Sequence, residues 1–520
     1  MSADILLGID AGTSSIKAVA FDTAGNELAT AAVRNRFDTG PDGAATQSPA
    51  ATWNRLGETL QALAAQLDGL AGRVLALAIT AQGDGTWLID AEGAPVSDGW
   101  LWLDSRAAGI ADALRDAPGA AARFAATGTG LTGCQQGPQL FWMQRHAPEL
   151  LASAATAFHC KDWLYFQMTG QRATDPCEAA FSFGNFRTRD YDEDAMAPFA
   201  EVTRLASLLP PILDGARTTH PLLPAAAAHL GLRAGTPVVL GYLDATCTAL
   251  GGGVWDPDTD CGCTIFGSTG VHLRPCPVAE VVLGPDEAGY VLVLPVPGQV
   301  AQMQTNMAGT LNIDWLLDLA ADLVGDLGHP RPDHSALLAR CDGWLEAAQG
   351  APLLYQPYIS EAGERGPFVN PLARAGFAGL DRRHRFPDLL AAVVDGLSLA
   401  ARDCFTTMGG VPEEVRLTGG AARSQVLRQR LADTLQTTIR PVAREEAGCA
   451  GAAMIAAIAM GVHADWADCV RVWVQPQLQH PQPANPVAAS MADARFAAFR
   501  ALRAGATPVW ADLARARAMT

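Results

Sequence analysis

The sequence predicts an α/β protein made of two lobes of related topology. Three observations carry this prediction. The chain has 520 residues, and single hydrophobic cores stop growing at roughly 250–300 residues. Its opening reads as strand, hydroxyl-rich turn and strand, followed by an amphipathic helix and a further strand. A second strand–turn–strand of the same make-up begins at Cys261, in the other half. We place the lobe boundary near residue 250, giving lobes over 1–250 and 251–470.

The elements follow in order. ILLGID (5–10) is an apolar run suited to a buried strand, AGTSS (11–15) a turn, and IKAVAFD (16–22) a second strand. GNEL makes a reverse turn, and LATAAVRNRF (28–37) is a third strand. Residues 49–70 show helical spacing, with Trp53, Leu56, Leu60, Leu63 and Leu67 on one stripe. VLALAIT (74–80) is a buried strand leading to Gln82. TPVVLGYLDATCTALGGG (236–253) is a strand running into a small-residue helix, and CGCTIFGSTGVHLRP (261–275) repeats the opening. Alanine-rich helices dominate 386–461, and a proline-rich link leads to a helical appendage over 471–520.

Composition narrows the function. The chain is 49% hydrophobic and 18% charged, as in ordinary globular proteins. A net charge of −17 argues against nucleic-acid and anionic-membrane partners, which need basic surface. The N-terminus lacks a signal-peptide pattern, and no apolar run reaches the ~20 residues of a membrane span. Eleven scattered cysteines fit reduced thiols, so a cytoplasmic setting is expected. Cys261 and Cys263 form the one close pair, without further ligand-type residues nearby, and metal ligation is not expected there. Only Lys17 and Lys161 are lysines among 37 basic residues.

Three motifs carry chemistry. In Gly8–Lys17 a turn between strands offers backbone N–H groups and the hydroxyls of Thr13, Ser14 and Ser15 to a phosphate chain. Asp10 stands at the strand end, where its oxygens suit Mg²⁺ held through water. Lys17 adds positive charge. Gly267, Ser268 and Thr269 form the equivalent turn in the second half. Gly419, Gly420 and Ala421 sit at a strand-to-helix junction, with Ser424 just before the amphipathic helix QVLRQRLADTL. Bare backbone at a helix N-terminus accommodates a flat ring. Each motif also has a plain structural reading, as a hairpin turn or as strand–helix packing.

Together and in this order, the motifs resemble the FGGY carbohydrate kinases of the actin–hexokinase–chaperone superfamily. The resemblance spans roughly residues 5–465 and includes LWLDSRA (101–107), KDWLYFQMTG (161–170), Gly241-Tyr242-Leu243-Asp244, PYISEAGERGPFVNPLARAGFAGL (357–380), LTGGAARSQVLRQRLAD and EAGCAGAA (446–453). It implies two actin/hexokinase-like (ribonuclease H-like) domains with an interdomain cleft, ATP and Mg²⁺ as cofactors, a small sugar or polyol as substrate, and a possible homodimer. By resemblance Asp244 is the catalytic base, although an aspartate after a strand is also a common helix N-cap. Gly309 resembles a residue near the nucleotide phosphates. Gln82, Asp84, Trp102, Asp104 and Arg106 are the expected acceptor-site residues, offering polar pairs on apolar platforms; QGDG (82–85) is also strong turn chemistry.

Glycerol kinases carry an arginine–glutamate pair where this chain has Gly83 and Asp84, which disfavours glycerol. QGDGTWL with GWLWLDSRA is most similar to erythritol kinases, then to L-xylulose and D-xylulose kinases. A non-catalytic actin-like ATP-binding regulator is the alternative of a different class. A dehydrogenase is excluded because no G-x-G-x-x-G follows a first strand.

Overall fold

A computed structural model describes residues 4–348 and 353–517. In the N-terminal lobe β1 (Ile5–Ala11), β2 (Ser15–Phe21) and β3 (Glu27–Arg34) form an antiparallel meander. Helix α1 (Pro49–Ala64) crosses the sheet, and β4 (Val74–Ala81) returns parallel to β1. Leu56, Leu60 and Leu63 of α1 are fully buried, with Trp53 and Leu67 packed at the margin. The helix stops short of residue 70, with Ala65 as its C-cap; Gly69, at φ 67°, starts a separate turn of helix over Leu70–Arg73. Helices α2 (Cys160–Thr169) and α3 (Pro176–Phe183) follow, then β5 (His220–Pro221) and β6 (Pro237–Leu240), the latter parallel to β4. The sheet order is β5-β6-β4-β1-β2-β3.

Helix α4 (Asp244–Gly251) leads into the second lobe. There β7 (Cys261–Phe266), β8 (Gly270–Pro277), β9 (Tyr290–Val293) and β10 (Gln299–Asn306) precede helices α5 (Leu311–Asp326) and α6 (Phe386–Thr407). Strand β11 (Glu414–Thr418), α7 (Gln425–Leu435), β12 (Thr438–Pro441), α8 (Ala447–Ala459), α9 (Trp466–Trp473) and α10 (Ala492–Arg517) complete the chain. The second sheet runs β9-β10-β8-β7-β11-β12. Without the edge strands β5 and β9, the two sheets have the same order and the same parallel and antiparallel senses. This is the repeated actin/hexokinase-like lobe that the resemblance implied.

The lobes share a core. One apolar cluster joins Leu6, Val19 and Ala78 of the first sheet to Cys263, Leu273 and Val300 of the second, through α4 and α8. Those helices touch backbone to backbone. A Cβ on Gly251 would lie 2.0 Å from the Ala447 carbonyl oxygen, and one on Gly451 would lie 1.9 Å from that of Cys247. Residue 250, the expected boundary, falls in the last turn of α4.

The expected appendage packs as part of the second lobe. Its proline-rich link bridges to the sheet edge at Ile439–Gln482 and Val442–Leu478. Helix α10 buries Phe499 and Trp510 against Tyr358 and pairs Arg495 with Asp395 and Arg503 with Asp403 of α6. Residues 518–520 of that stretch, like residues 1–3, lie outside the described residues.

Candidate active site

Three neighbouring parallel strands converge at their carboxyl ends, where ligands of α/β sheets gather. β1 carries Asp10 one residue before its end, β4 delivers Gln82, and β6 leads to Asp244, the first residue of α4. Asp244 Oδ1 accepts a hydrogen bond from the Ala245 amide at 2.6 Å. Burial pushes its carboxyl up to about 8, helped by the charges of Asp10, Glu178 and Asp84, while the Ala245 amide works against the shift. Burial also raises Asp10 to about 6, with Lys17 opposing and Glu446 adding to the rise. A Cβ on Gly448 would lie 2.5 Å from Asp10 Oδ2, so a side chain there would push that carboxylate aside.

The 82–85 loop lies against Asp244. A Cβ on Gly83 would fall 2.0 Å from Leu243 Cδ1 and 3.6 Å from Asp244 Oδ1. Asp84 adopts φ 55°, and its Oδ1 is buried without a partner. Its amide donates to Glu178 Oε1 at 3.4 Å, and Cys134 Sγ lies 3.5 Å from Oδ2. Burial and the Glu178 charge raise Asp84 to about 6. Trp102 Nε1 donates to Thr13 Oγ1 at 2.9 Å, Thr13 Oγ1 donates to Gln82 Oε1 at 2.6 Å, and Gln82 Nε2 donates to Gln47 Oε1 at 2.7 Å. Thr13, expected beside the nucleotide, is thus bonded to two residues expected at the acceptor.

Two expected acceptor residues are engaged elsewhere. Asp104 is 1% exposed; it accepts from the Ala45 amide at 2.9 Å and from the Arg106 guanidinium. Arg106 in turn lies 3.3 Å above the Trp100 ring. The pair braces the wall that carries Trp102, which is itself 43% exposed.

On the expected nucleotide side, the hydroxyls of Ser14, Ser15, Ser268 and Thr269 donate to no protein acceptor among the described residues, which leaves them available to an anion. Lys17 Nζ pairs with Glu446 Oε2 at 2.8 Å. The Gly267–Thr269 turn is held from below, where the Gly309 amide donates to the Ser268 carbonyl at 2.7 Å. A Cβ on Gly309 would lie 2.6 Å from the Gly267 carbonyl oxygen. Gly419, at φ 90°, passes 2.4 Å (from its would-be Cβ) over the Phe266 carbonyl oxygen, while Gly420 has open space and Ala421 is buried. Ser424 serves as the N-cap of α7, accepting from the Leu427 amide at 3.0 Å and donating to Asp342 at 2.5 Å. Its hydroxyl thus caps the helix start.

Sequence reasoning missed a buried charge cluster beneath the 82–85 loop. Lys161 Nζ lies 2.7 Å from Asp162, 2.8 Å from Asp175 and 3.2 Å from Glu178, all fully buried. His159 Nε2 lies 3.6 Å from Glu178 Oε1. The scarcity of lysine pointed to Lys161, but nothing marked Glu178 as a neighbour of Asp84 and Asp244.

The domain profiles of FGGY-family carbohydrate kinases match this chain over residues 5–251 for the N-terminal domain and 263–460 for the C-terminal domain. The chain belongs to the FGGY family of carbohydrate kinases. This FGGY kinase is 52% identical to an erythritol kinase of Brucella abortus (strain 2308) over 98% of both chains. It is 31% identical to a xylulose kinase of Escherichia coli (strain K12), covering 82% of this chain and 84% of the relative. Its fold is similar to the crystal structure of xylulose kinase from Rhodospirillum rubrum, with a TM-score of 0.86 and 25% identity over 97% of this chain and 99% of that one. It is a carbohydrate or polyol kinase. Among the described residues no helix is long and apolar enough to cross a membrane.

Proposed function

We propose that this kinase transfers the terminal phosphoryl group of ATP to a hydroxyl of erythritol, with Asp244 as the general base. The observation that carries the reading is the Asp244 carboxylate itself, set at a strand end against the 82–85 loop with its proton affinity raised. The similarity to a protein named erythritol kinase supports the choice of acceptor.

In this reading the polyol lies along Trp102, with hydroxyls on Gln82 and Asp84. The acceptor oxygen attacks the terminal phosphorus as the bond to the ADP oxygen breaks, and its proton passes to Asp244. Phosphoryl transfer proceeds through a loose transition state, so orientation and charge neutralisation supply most of the catalysis. Ser14 and Ser15 from one lobe and the 267–269 turn from the other grip the phosphates, and the nucleoside lies on Gly419, Gly420 and Ala421. Asp10 has the chemistry to hold Mg²⁺ through water, since its carboxylate has oxygen donors and no hydrogen-bond partner among the described residues. When bound, Mg²⁺ would neutralise phosphate charge. All eleven cysteines are free thiols, which suits a reducing cytoplasm.

The test is a panel of erythritol, glycerol, ribitol, D-xylulose and L-xylulose with Mg-ATP. Erythritol is expected to give the highest kcat/KM. A ketose exceeding it would overturn the choice of acceptor, and ATP hydrolysis indifferent to all five would overturn the kinase mechanism.

A further inference from the structure

A cavity of about 360 Å³ lies between the lobes. Its N-terminal wall includes Arg123, Thr129 and Thr132, and its C-terminal wall includes Glu287, Tyr290 and Arg365. Neither Asp244 nor any of Gln82, Asp84 and Trp102 lines it.

Neither of its two central arginines makes a direct ion pair among the described residues, although the charges of Asp84 and Glu287 act on Arg123 and those of Asp84 and Glu364 on Arg365. Arg123 is 3% exposed; it donates to the Thr129 carbonyl at 2.9 Å and to Gln135 Oε1 at 3.3 Å, and its Nε has no partner. Arg365 donates through Nε to Thr305 Oγ1 at 3.0 Å, and its terminal amines donate to no protein acceptor among the described residues. Neither guanidinium has a carboxylate within the 4.0 Å of an ion pair among the described residues. A buried cation without a directly paired anion is disfavoured, and burial pulls Arg123 down to about 10 against the opposing charges of Asp84 and Glu287. Asp116 and Asp286 are exposed and in water, whereas Glu287 is half-buried. The wall therefore combines an anion-seeking floor with one carboxylate able to accept from hydroxyls.

We propose that this cavity binds a small phosphate monoester bearing hydroxyls, with its phosphate on Arg123 and Arg365 and its hydroxyls on Glu287 and Thr132. Paired guanidinium groups suit the oxygens of a phosphate. Because one arginine comes from each lobe, the ligand ties the lobes together. The product of a polyol kinase belongs to this chemical class, so the site offers feedback on lobe opening; that last step rests on the function proposed above.

The test separates the cavity from the catalytic cleft. The Asp244→Asn protein is saturated with a non-hydrolysable Mg-ATP analogue and erythritol, then titrated calorimetrically with glycerol 3-phosphate and, separately, with inorganic phosphate. One further equivalent of glycerol 3-phosphate is expected to bind, at least tenfold more tightly than inorganic phosphate. Adding Arg365→Gln or Arg123→Gln is expected to weaken it at least tenfold. Arg365 is only half-buried, so its variant decides the matter if the Arg123 variant misfolds. No binding, or unchanged affinity in the folded arginine variants, overturns the site. Equal affinity for inorganic phosphate overturns the hydroxyl contacts. If erythritol itself does not bind, the acceptor reading fails, and titration of the nucleotide complex alone still decides the cavity.

Discussion

Replacing Asp244 with asparagine should lower activity and raise stability, and the stability gain should grow with pH. The carboxyl moves from its ordinary 3.8 to about 8 in the folded protein. At ~1.4 kcal/mol per unit, holding it ionised costs the fold at most about 6 kcal/mol. That is a ceiling, because Asp10, Asp84 and Glu178 titrate with it and water screens the open side of the cleft. The folded state binds this proton more tightly than the unfolded chain does. The stability it contributes is therefore whole below about pH 4 and is lost as pH rises to about 8. Asparagine has no proton to lose. The stability difference between variant and native protein should widen from about pH 5 to about pH 8, by at most about 4 kcal/mol. Removing a general base should lower kcat about 10²- to 10⁴-fold. Native kcat/KM should rise about tenfold between about pH 7 and about pH 9, as the free carboxyl ionises. Denaturant unfolding across that pH range and a coupled ADP assay measure both effects. A stability difference that stays flat, or activity within tenfold of native, would refute the reasoning.

Other perturbations give distinct readouts. Glu178→Gln removes a negative charge beside Asp84 and Asp244, so the acid limb of the pH–kcat/KM profile should move down by about half to one unit; an unmoved limb would count against their coupling. Gly83→Ala forces Leu243 aside and displaces Asp244, so kcat/KM should fall about 10- to 100-fold in steady-state assays, since small misplacements of reacting groups are expensive. Trp510→Ala empties a buried site against Tyr358 and Phe368. It should cost about 3–5 kcal/mol in denaturant unfolding, whereas a loosely attached tail would give almost no change.

The local patterns that periodicity and small-residue turns write into a chain were legible without coordinates. The strand–turn–strand openings at Ile5 and Cys261, the α1 stripe and the placing of Asp10, Gln82 and Asp244 each at the end of its own strand follow from short-range rules. Residue type alone left open which polar groups are free to act. Asp104 and Ser424 look like ligand contacts in sequence, yet a neighbouring arginine and a helix start engage them. Glu178 is silent in sequence because its meaning is a distance: it lies 94 positions from the Asp84 amide that donates to it. The shared core through α4 and α8, and the docking of α10, were hidden for the same reason. Both depend on contacts between remote segments, which sequence spacing does not encode and close packing decides.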